Sequence, residues 1–498
     1  MRQRGITALL LGFVTAATSC NSNTVLVLSI SNIPNNTESI NIATSIDGKT
    51  YNTDPISTLT LKAQSTLSSI TIPFEFTDKQ IGLSVSTKSN IGNKCPTAKW
   101  DGTAATIEPG TYSIPVPLQN ITDDNIRNDL FTSAAISSNN TYMAGASSTL
   151  IKWDGCYWTQ SPKARPDAIV KLYSHPKVGL WGVGTSGVIS KYDPLNDTWT
   201  NIDASSVLKG TGEVPSSITW TGITYIDGTP GDLLVVGVAR SMFSIPGGSQ
   251  CFTIRLTQNG TGYTPSRLNS AYCGSAAQTC TQYGTSNTAS CYFQAQNVFS
   301  FPPDRIALSG VANFVASTTN QTAFAILDSQ LQLAVPTTTP QYVVAASGTD
   351  QPYGSSGIIW GVNLNDFWLA SNHLFHITNA KNDITAITNK PTFYETDLYK
   401  SNPVATQNYR LISIWGTAAN DFWVLAFPTA TRFTTVHHFQ DRESLKLTDS
   451  NIGKVDYSAG IDNYVITSIT GTADNDVWFS AYNGIRIHYD KNAFRVYR

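Results

Sequence analysis

Three aspartates occupy one place in a repeated pattern. Asp366, Asp421 and Asp476 each follow an asparagine and stand two residues before a tryptophan. A ring of carboxylates could bind cations or supply the paired acid and base of a glycosidase. Recurrence argues for a different role, because equivalent positions in successive units share a structural job, here the capping of a turn. His373 and His376 lie three apart, and His437 adjoins His438. On a strand, such neighbours point to opposite faces, and no carboxylate cluster completes a ligand set, so no metal is expected. Gly182, Gly184 and Gly187 have the spacing of a loop that cradles a pyrophosphate. That chemistry needs a helix N-terminus after the last glycine, whereas residues 188–192 read as a strand, so the motif is read as a hairpin turn. The chain contains no Gly-x-Ser-x-Gly elbow to present a nucleophile, and no cofactor is expected.

The elements that carry these residues repeat. Gly361, Gly416 and Gly471 lie 55 residues apart, and so do the three aspartates. A period of this size marks a repeated supersecondary unit. Looser copies extend back to about residue 131. Core strands are expected at Tyr142, Trp181, Leu234, Ile306, Trp368, Trp423 and Trp478, and in several units a further strand ends in an aromatic–Asp pair, Trp153-Asp154, Tyr192-Asp193 or Tyr489-Asp490. Outer strands follow at Trp158, Trp199 and Phe494. Four strands per unit make the blade of a β-propeller, in which each sheet covers the apolar face of the next. The expected fold is all-β: a small β-sandwich over residues 20–120, a linker over 121–130, and a seven-bladed propeller over 131–498. In the first domain, strands are expected from Thr24, Ser69, Ile81 and Thr111, with a hairpin turn at Asp47-Gly48.

Charged residues make up only 13% of the chain, against roughly 25% in an average globular protein. The formal net charge of −2, with no basic stripe, gives no electrostatic footprint for nucleic acid. Residues 1–19 have the layout of an export signal: Arg2 and Arg4, then an apolar stretch from Ile6 to Ala17, too short for a membrane span, then small residues. Of the seven cysteines, six remain once Cys20 is set aside, and an even number in an exported protein suggests disulfides. Local pairings are favoured for Cys280–Cys291 and Cys251–Cys273, which leaves Cys95–Cys156. A Cys-rich insert is expected at 245–295, the best candidate for a functional loop, because long insertions collect where ligands bind.

The end of the export signal, Ala17-Thr18-Ser19-Cys20, resembles the lipobox of bacterial lipoproteins, although Ala17 stands where that family usually has leucine. The resemblance implies a diacylglyceryl thioether and an acylated amine on Cys20, and Asn21 favours the outer membrane. Residues 414–423 and 469–478 resemble a repeat of surface lipoproteins from myxobacteria and related δ-proteobacteria, which reads Trp-Gly, a polar linker, Asn-Asp-Val-Trp and then His-Trp-Asp; Ile487-His488-Tyr489-Asp490 stands at the last place. Residues 45–51 are similar to the Asp-box of sialidases but lack one residue, and are read as a plain hairpin. The function expected is that of a non-enzymatic, lipid-anchored envelope protein whose propeller binds a protein or a glycan. The alternative, a propeller glycoside hydrolase or polysaccharide lyase, requires convergent carboxylates, Tyr, Arg or His at non-equivalent positions near the axis. A Ser/Thr/Asn-lined centre argues against it.

Overall fold

The computed structural model describes residues 24–497 apart from 35–36, 46–56, 61–68, 77–79, 90–94, 107–109, 121–125, 162–166, 210, 212, 240–250, 269–277, 283–287, 304, 315–319, 332–341, 345–356, 365, 371–373, 379–391, 397–408, 429–432, 442–451, 457–460, 462 and 492. The chain divides into two compact units, residues 1–122 and 123–498. Both are built of β-sheets.

The first unit holds a three-stranded and a five-stranded sheet. Thr24–Ser31 pairs antiparallel with Ser69–Phe76 and parallel with Thr111–Pro117. Thr37–Ser45 and Gln80–Ser89 lead the other sheet, with Ser57–Thr60, Pro96–Thr106 and Gln119–Asn120 outside them. Leu26, Leu28 and Ile30 of the first sheet share one core with Ile40, Ile42, Leu83 and Val85 of the second. Their period-2 spacing puts every one of these side chains on the inward face. Thr37–Ser45 and Pro96–Thr106 were not expected as strands. The second opens on proline and carries Gly102, whose missing Cβ leaves room for the Trp100 ring. The expected turn at Asp47-Gly48 lies outside the described residues.

The second unit lays down its sheets one after another. The first contains Leu130–Ser137, Asn140–Gly145, Leu150–Trp153 and Trp158–Gln160, hydrogen-bonded in that order. The second contains Ile169–His175, Gly179–Gly184, Ile189–Asp193 and Thr198–Asn201. The third contains Ile218–Tyr225, Leu233–Ala239, Cys251–Asn259 and Gly262–Arg267. In the fourth, Thr288–Phe301, Arg305–Phe314, Asn320–Asp328 and Tyr342–Val344 are closed edge to edge by Gln278–Gln282. The fifth contains Ile358–Asn363, Asp366–Ala370, Leu374–Thr378 and Thr392–Thr396. The sixth contains Tyr409–Ala418, Asp421–Pro428, Thr435–Asp441 and Ile452–Asp456. The last contains Ile466–Ala473, Asp476–Ala481, Arg486–Tyr489 and Phe494–Tyr497.

Each core strand expected from the sequence is the second strand of its sheet, flanked on both edges. That position explains why Trp181, Trp368, Trp423 and Trp478 are among the largest fully buried side chains. The first strand of every sheet touches the first strand of the next, and Ile466–Ala473 returns to Leu130–Ser137. A separate apolar cluster fills each contact between successive sheets, the return contact included. The arrangement is that of a propeller, sheets set around an axis with their first strands innermost.

Three of the joints, those after the first, second and last sheets, follow a pattern. The turn between second and third strands has residues at positive φ: Ser147 and Ser148, Ser186 and Gly187, Asn483 and Gly484. It docks on the chain entering the next sheet, through Ser148 Oγ donating to Asp167 O (2.5 Å), Gly187 N to Ile218 O (2.9 Å), and Asn483 N to Asp129 Oδ1 (2.8 Å). The last of these closes the ring and is built like the others. Gly184 and Gly187, read from the sequence as part of a hairpin, flank one of these turns between the strands Gly179–Gly184 and Ile189–Asp193.

The stretch 245–295, read as an insert, is largely strand where it is described. Cys251–Asn259 is the third strand of the third sheet, with Phe252, Ile254 and Leu256 buried. Thr288–Phe301 is the first strand of the fourth. Polar Ser, Thr, Gly and Asn around these runs hid their alternation.

Candidate functional site

The three aspartates begin the second strands of the fifth, sixth and last sheets. Each lies two residues before its tryptophan and so on the same face. The residue opposite each tryptophan on the third strand is a histidine: His376 opposite Trp368, His438 opposite Trp423, His488 opposite Trp478. The imidazole lies flat on the indole, with ring centroids 4.4, 3.9 and 4.0 Å apart. Its Nε2–H donates to the carboxylate at 2.6, 2.7 and 2.9 Å in turn. Thr417 Oγ1 also donates to Asp421 (3.1 Å), and Thr472 Oγ1 to Asp476. Trp478 Nε1 adds a donor to Asp476 at 3.0 Å. The His438 hydrogen bond holds Asp421 below the usual carboxylate range against the opposing effect of burial. Burial alone would raise Asp476, but the donors from His488 and Thr472 together outweigh it and leave it lowered.

The glycine of each repeat belongs to the same device. A Cβ on Gly361, Gly416 or Gly471 would lie 2.4–2.7 Å from the facing second strand, against Phe367, Phe422 or Asp476. Just past each glycine the first strand carries a bulge, which brings the tight turn and its aspartate under the indole.

The axis is made differently. First strands are sheet edges, and their unpaired backbone groups need partners. Hydroxyls from the neighbouring sheet supply them. Thr132 Oγ1 accepts from Leu172 N at 3.0 Å, Ser413 Oγ from Ile469 N at 3.1 Å, and Thr470 Oγ1 from Ala135 N at 3.0 Å. Thr467 Oγ1 donates to Leu130 O at 2.7 Å, and Thr221 Oγ1 to Gln296 O at 2.5 Å. The abundance of Ser and Thr in the sequence acquires a purpose here.

Most first strands bulge near their start. The residues after the bulge are Thr132, Lys171, Gly222, Asn297, Ser413 and Ser468. Lys171 is the charged residue in this series. Its side chain is solvent-exposed, yet the surrounding protein desolvates its ammonium and lowers its pKa. Among the described residues it pairs with no carboxylate.

A second cluster sits where the second and third sheets turn. His175 stacks on Tyr225 (4.4 Å) and lies parallel to Tyr173 (6.3 Å). Lys177 Nζ lies 5.1 Å from the Tyr225 ring centre and 3.8 Å from Asp227. The Tyr173 hydroxyl accepts from Tyr225 N at 3.0 Å. Burial lowers the His175 pKa, with Asp227 opposing, and raises that of Tyr173.

Of the cysteines singled out by sequence, Cys95, Cys156 and Cys251 are each disulfide-bonded. Cys280 and Cys291 lie on paired strands, Cys291 opposite Gln278. Cys20, Cys273 and His373 lie outside the described residues. Among those described, no group of three or more His, Cys, Asp or Glu is placed to hold a metal ion, and no helix is long and apolar enough to cross a membrane. His376, His438 and His488 stood out in the sequence without their pairing to the aspartates, and Lys171 did not stand out at all. The pairing could have been found by seeking a histidine at a common strand position, and Lys171 by aligning the first strands.

No protein-family model and no curated protein matches the sequence. Among solved structures, the chain is similar to YCF48 from Cyanidioschyzon merolae, with 11% identity, 75% of this chain and 98% of that one covered, and a TM-score of 0.42. It is also similar to the β-propeller domain of Cps50 (Swd1) from Myceliophteria thermophila, with 8% identity, coverage of 76% and 98%, and a TM-score of 0.42. The WD40 β-propeller domain of Doa1 gives 10% identity, coverage of 74% and 93%, and a TM-score of 0.39. Likenesses this distant say nothing of ligand or activity.

Proposed function

We propose that residues 123–498 form a seven-bladed propeller that works as a non-catalytic binding scaffold for another protein, with a glycan as the other class of ligand. The observation that carries this is the commitment of the recurring carboxylates. Asp366, Asp421 and Asp476 each accept from a histidine of their own sheet, while hydroxyls bonded to backbone line the axis. A glycosidase needs two free carboxyl groups facing one bond.

The propeller would be carried on a β-sandwich formed by the first unit and displayed from the outer membrane or cell surface by acyl chains on Cys20. Each buried methylene contributes about 0.8 kcal/mol, so several chains anchor firmly. The lipobox-like Cys20 and the likeness of the repeats to those of δ-proteobacterial surface lipoproteins support this reading. The proposed disulfides are Cys95–Cys156, Cys251–Cys273 and Cys280–Cys291.

Two experiments test it. The full chain is used to capture partners from envelope extracts and is exposed in parallel to a glycan array, with hydrolysis followed on the same glycans. Capture without turnover is expected; turnover of any glycan overturns the non-catalytic reading. A Cys20→Ala variant should appear in the soluble fraction, and an unchanged membrane location refutes the anchor.

A further inference from the structure

We propose that the centre of the ring is an anion-binding site, in which Lys171 takes a carboxylate from an acidic polypeptide segment of the partner. This rests on the scaffold reading above and names the chemistry of its ligand.

Lys171 follows the bulge of an innermost strand, where the equivalent residues are small, polar or absent as side chains: Thr132, Gly222, Asn297, Ser413 and Ser468. From Lys171 to His175 the strand pairs without interruption, so Lys171 and Tyr173 share a face. Tyr173 reaches the third sheet, where its hydroxyl meets Tyr225 N. Lys171 therefore leans toward the third sheet too, over the first strand that carries Gly222.

Among the described residues no carboxylate pairs with Lys171. The hydroxyls of Thr132, Thr221 and Ser413 are occupied by backbone groups and offer Lys171 no counter-charge. A cation on the innermost strand with no carboxylate paired to it attracts an anion brought to the axis. Desolvation by the surrounding protein lowers the pKa of Lys171 as well. A polypeptide suits the site better than a sugar. Rings that could stack on a sugar, Tyr173, His175 and Tyr225, are stacked on one another.

The test titrates the full chain with an acidic Gly-Ser-Glu peptide, its Gly-Ser-Gln counterpart and an oligogalacturonate. Lys171→Gln and Lys171→Arg are compared with the wild type. The acidic peptide should bind, with an affinity that falls as salt rises. Lys171→Gln and the glutamine peptide should each lose at least about tenfold, and Lys171→Arg should keep most of the affinity. An exposed side chain is not needed for folding, and an unchanged unfolding temperature for Lys171→Gln checks this. Equal binding by Lys171→Gln, equal binding of the glutamine peptide, or no binding of the acidic peptide overturns the site. Lys171-dependent binding of the oligogalacturonate alone overturns the polypeptide ligand. A partner captured from extracts equally well by Lys171→Gln sinks this inference and leaves the scaffold reading standing; turnover of a glycan sinks that reading instead.

Discussion

The fifth, sixth and last sheets and the first two sheets fill the same place by different means. In the former, a tryptophan on the second strand is covered by a histidine that a carboxylate holds. In the latter, the aromatic residue of the second strand finds whatever partner is near. Trp181 Nε1 donates to Val178 O at 3.0 Å. Tyr142 packs edge-on against Tyr192, whose hydroxyl donates to Asp197 and shares a 3.0 Å hydrogen bond with Ser161 Oγ. Burial pushes the Tyr142 phenol up to about 12, with Asp197 adding to it, and raises Tyr192 as well. Strict sequence repetition marks the sheets where one device recurs. Divergence marks those where the backbone job is kept and the side chains doing it have changed.

The largest effect expected from breaking this contrast is at the ring closure. Trp478 is fully buried and packs on Trp153 and Trp158 of the first sheet, each at 5.2 Å. Trp478→Ala should lower the unfolding free energy by about 3–5 kcal/mol in denaturant titration. A loss under about 1 kcal/mol would show that this cluster does not hold the ring shut.

Next come the aspartates, ranked by partners and exposure. Asp476 is 10% exposed, Asp421 28% and Asp366 33%. Hydrogen bonds to charged groups contribute about 1.5–3 kcal/mol when shielded and less when wet. Asp476→Ala should cost about 2–3 kcal/mol, Asp421→Ala about 1–2 and Asp366→Ala about 1. Equal losses at all three would mean that the extra donors from Thr417, Thr472 and Trp478 contribute nothing.

Acid titration sharpens the same point. Asp421 and Asp476 have folded pKa values below their unfolded ones. The stability they supply is therefore complete above the unfolded value of about 3.9 and is lost as pH falls through the lower folded value. Double replacement by asparagine should flatten the stability profile below about pH 4; an unchanged slope would assign acid unfolding to other groups. The smallest effect is expected in the divergent sheets, where Tyr192→Phe should cost about 1 kcal/mol, read as a shift in unfolding midpoint.

Much of the architecture was legible in the sequence. Trp368, Trp423 and Trp478, with the glycines and aspartates before them, announced strand, bulge and turn, because those features are local. The first-unit strand Pro96–Thr106 was not legible, since proline and glycine broke its pattern. The structural role of the aspartates could be read, but not their partners. His376, His438 and His488 stand opposite their tryptophans only through strand register, and connecting loops of different length set them at different distances along the chain. Lys171 was invisible for a related reason. Nothing near it in sequence is unusual, and its isolation shows only against the equivalent residues of the other first strands.

Every sheet described in the second unit comes from one continuous stretch of chain, and the last meets the first through the same kind of turn that joins the first to the second and the second to the third. Among the described residues no strand is exchanged across the seam, so the circle has no privileged starting point. Such a design can gain or lose a whole petal by tandem duplication or deletion of one segment without rewiring its neighbours. The near-identical spacing of the final three petals fits a lineage enlarged in that way.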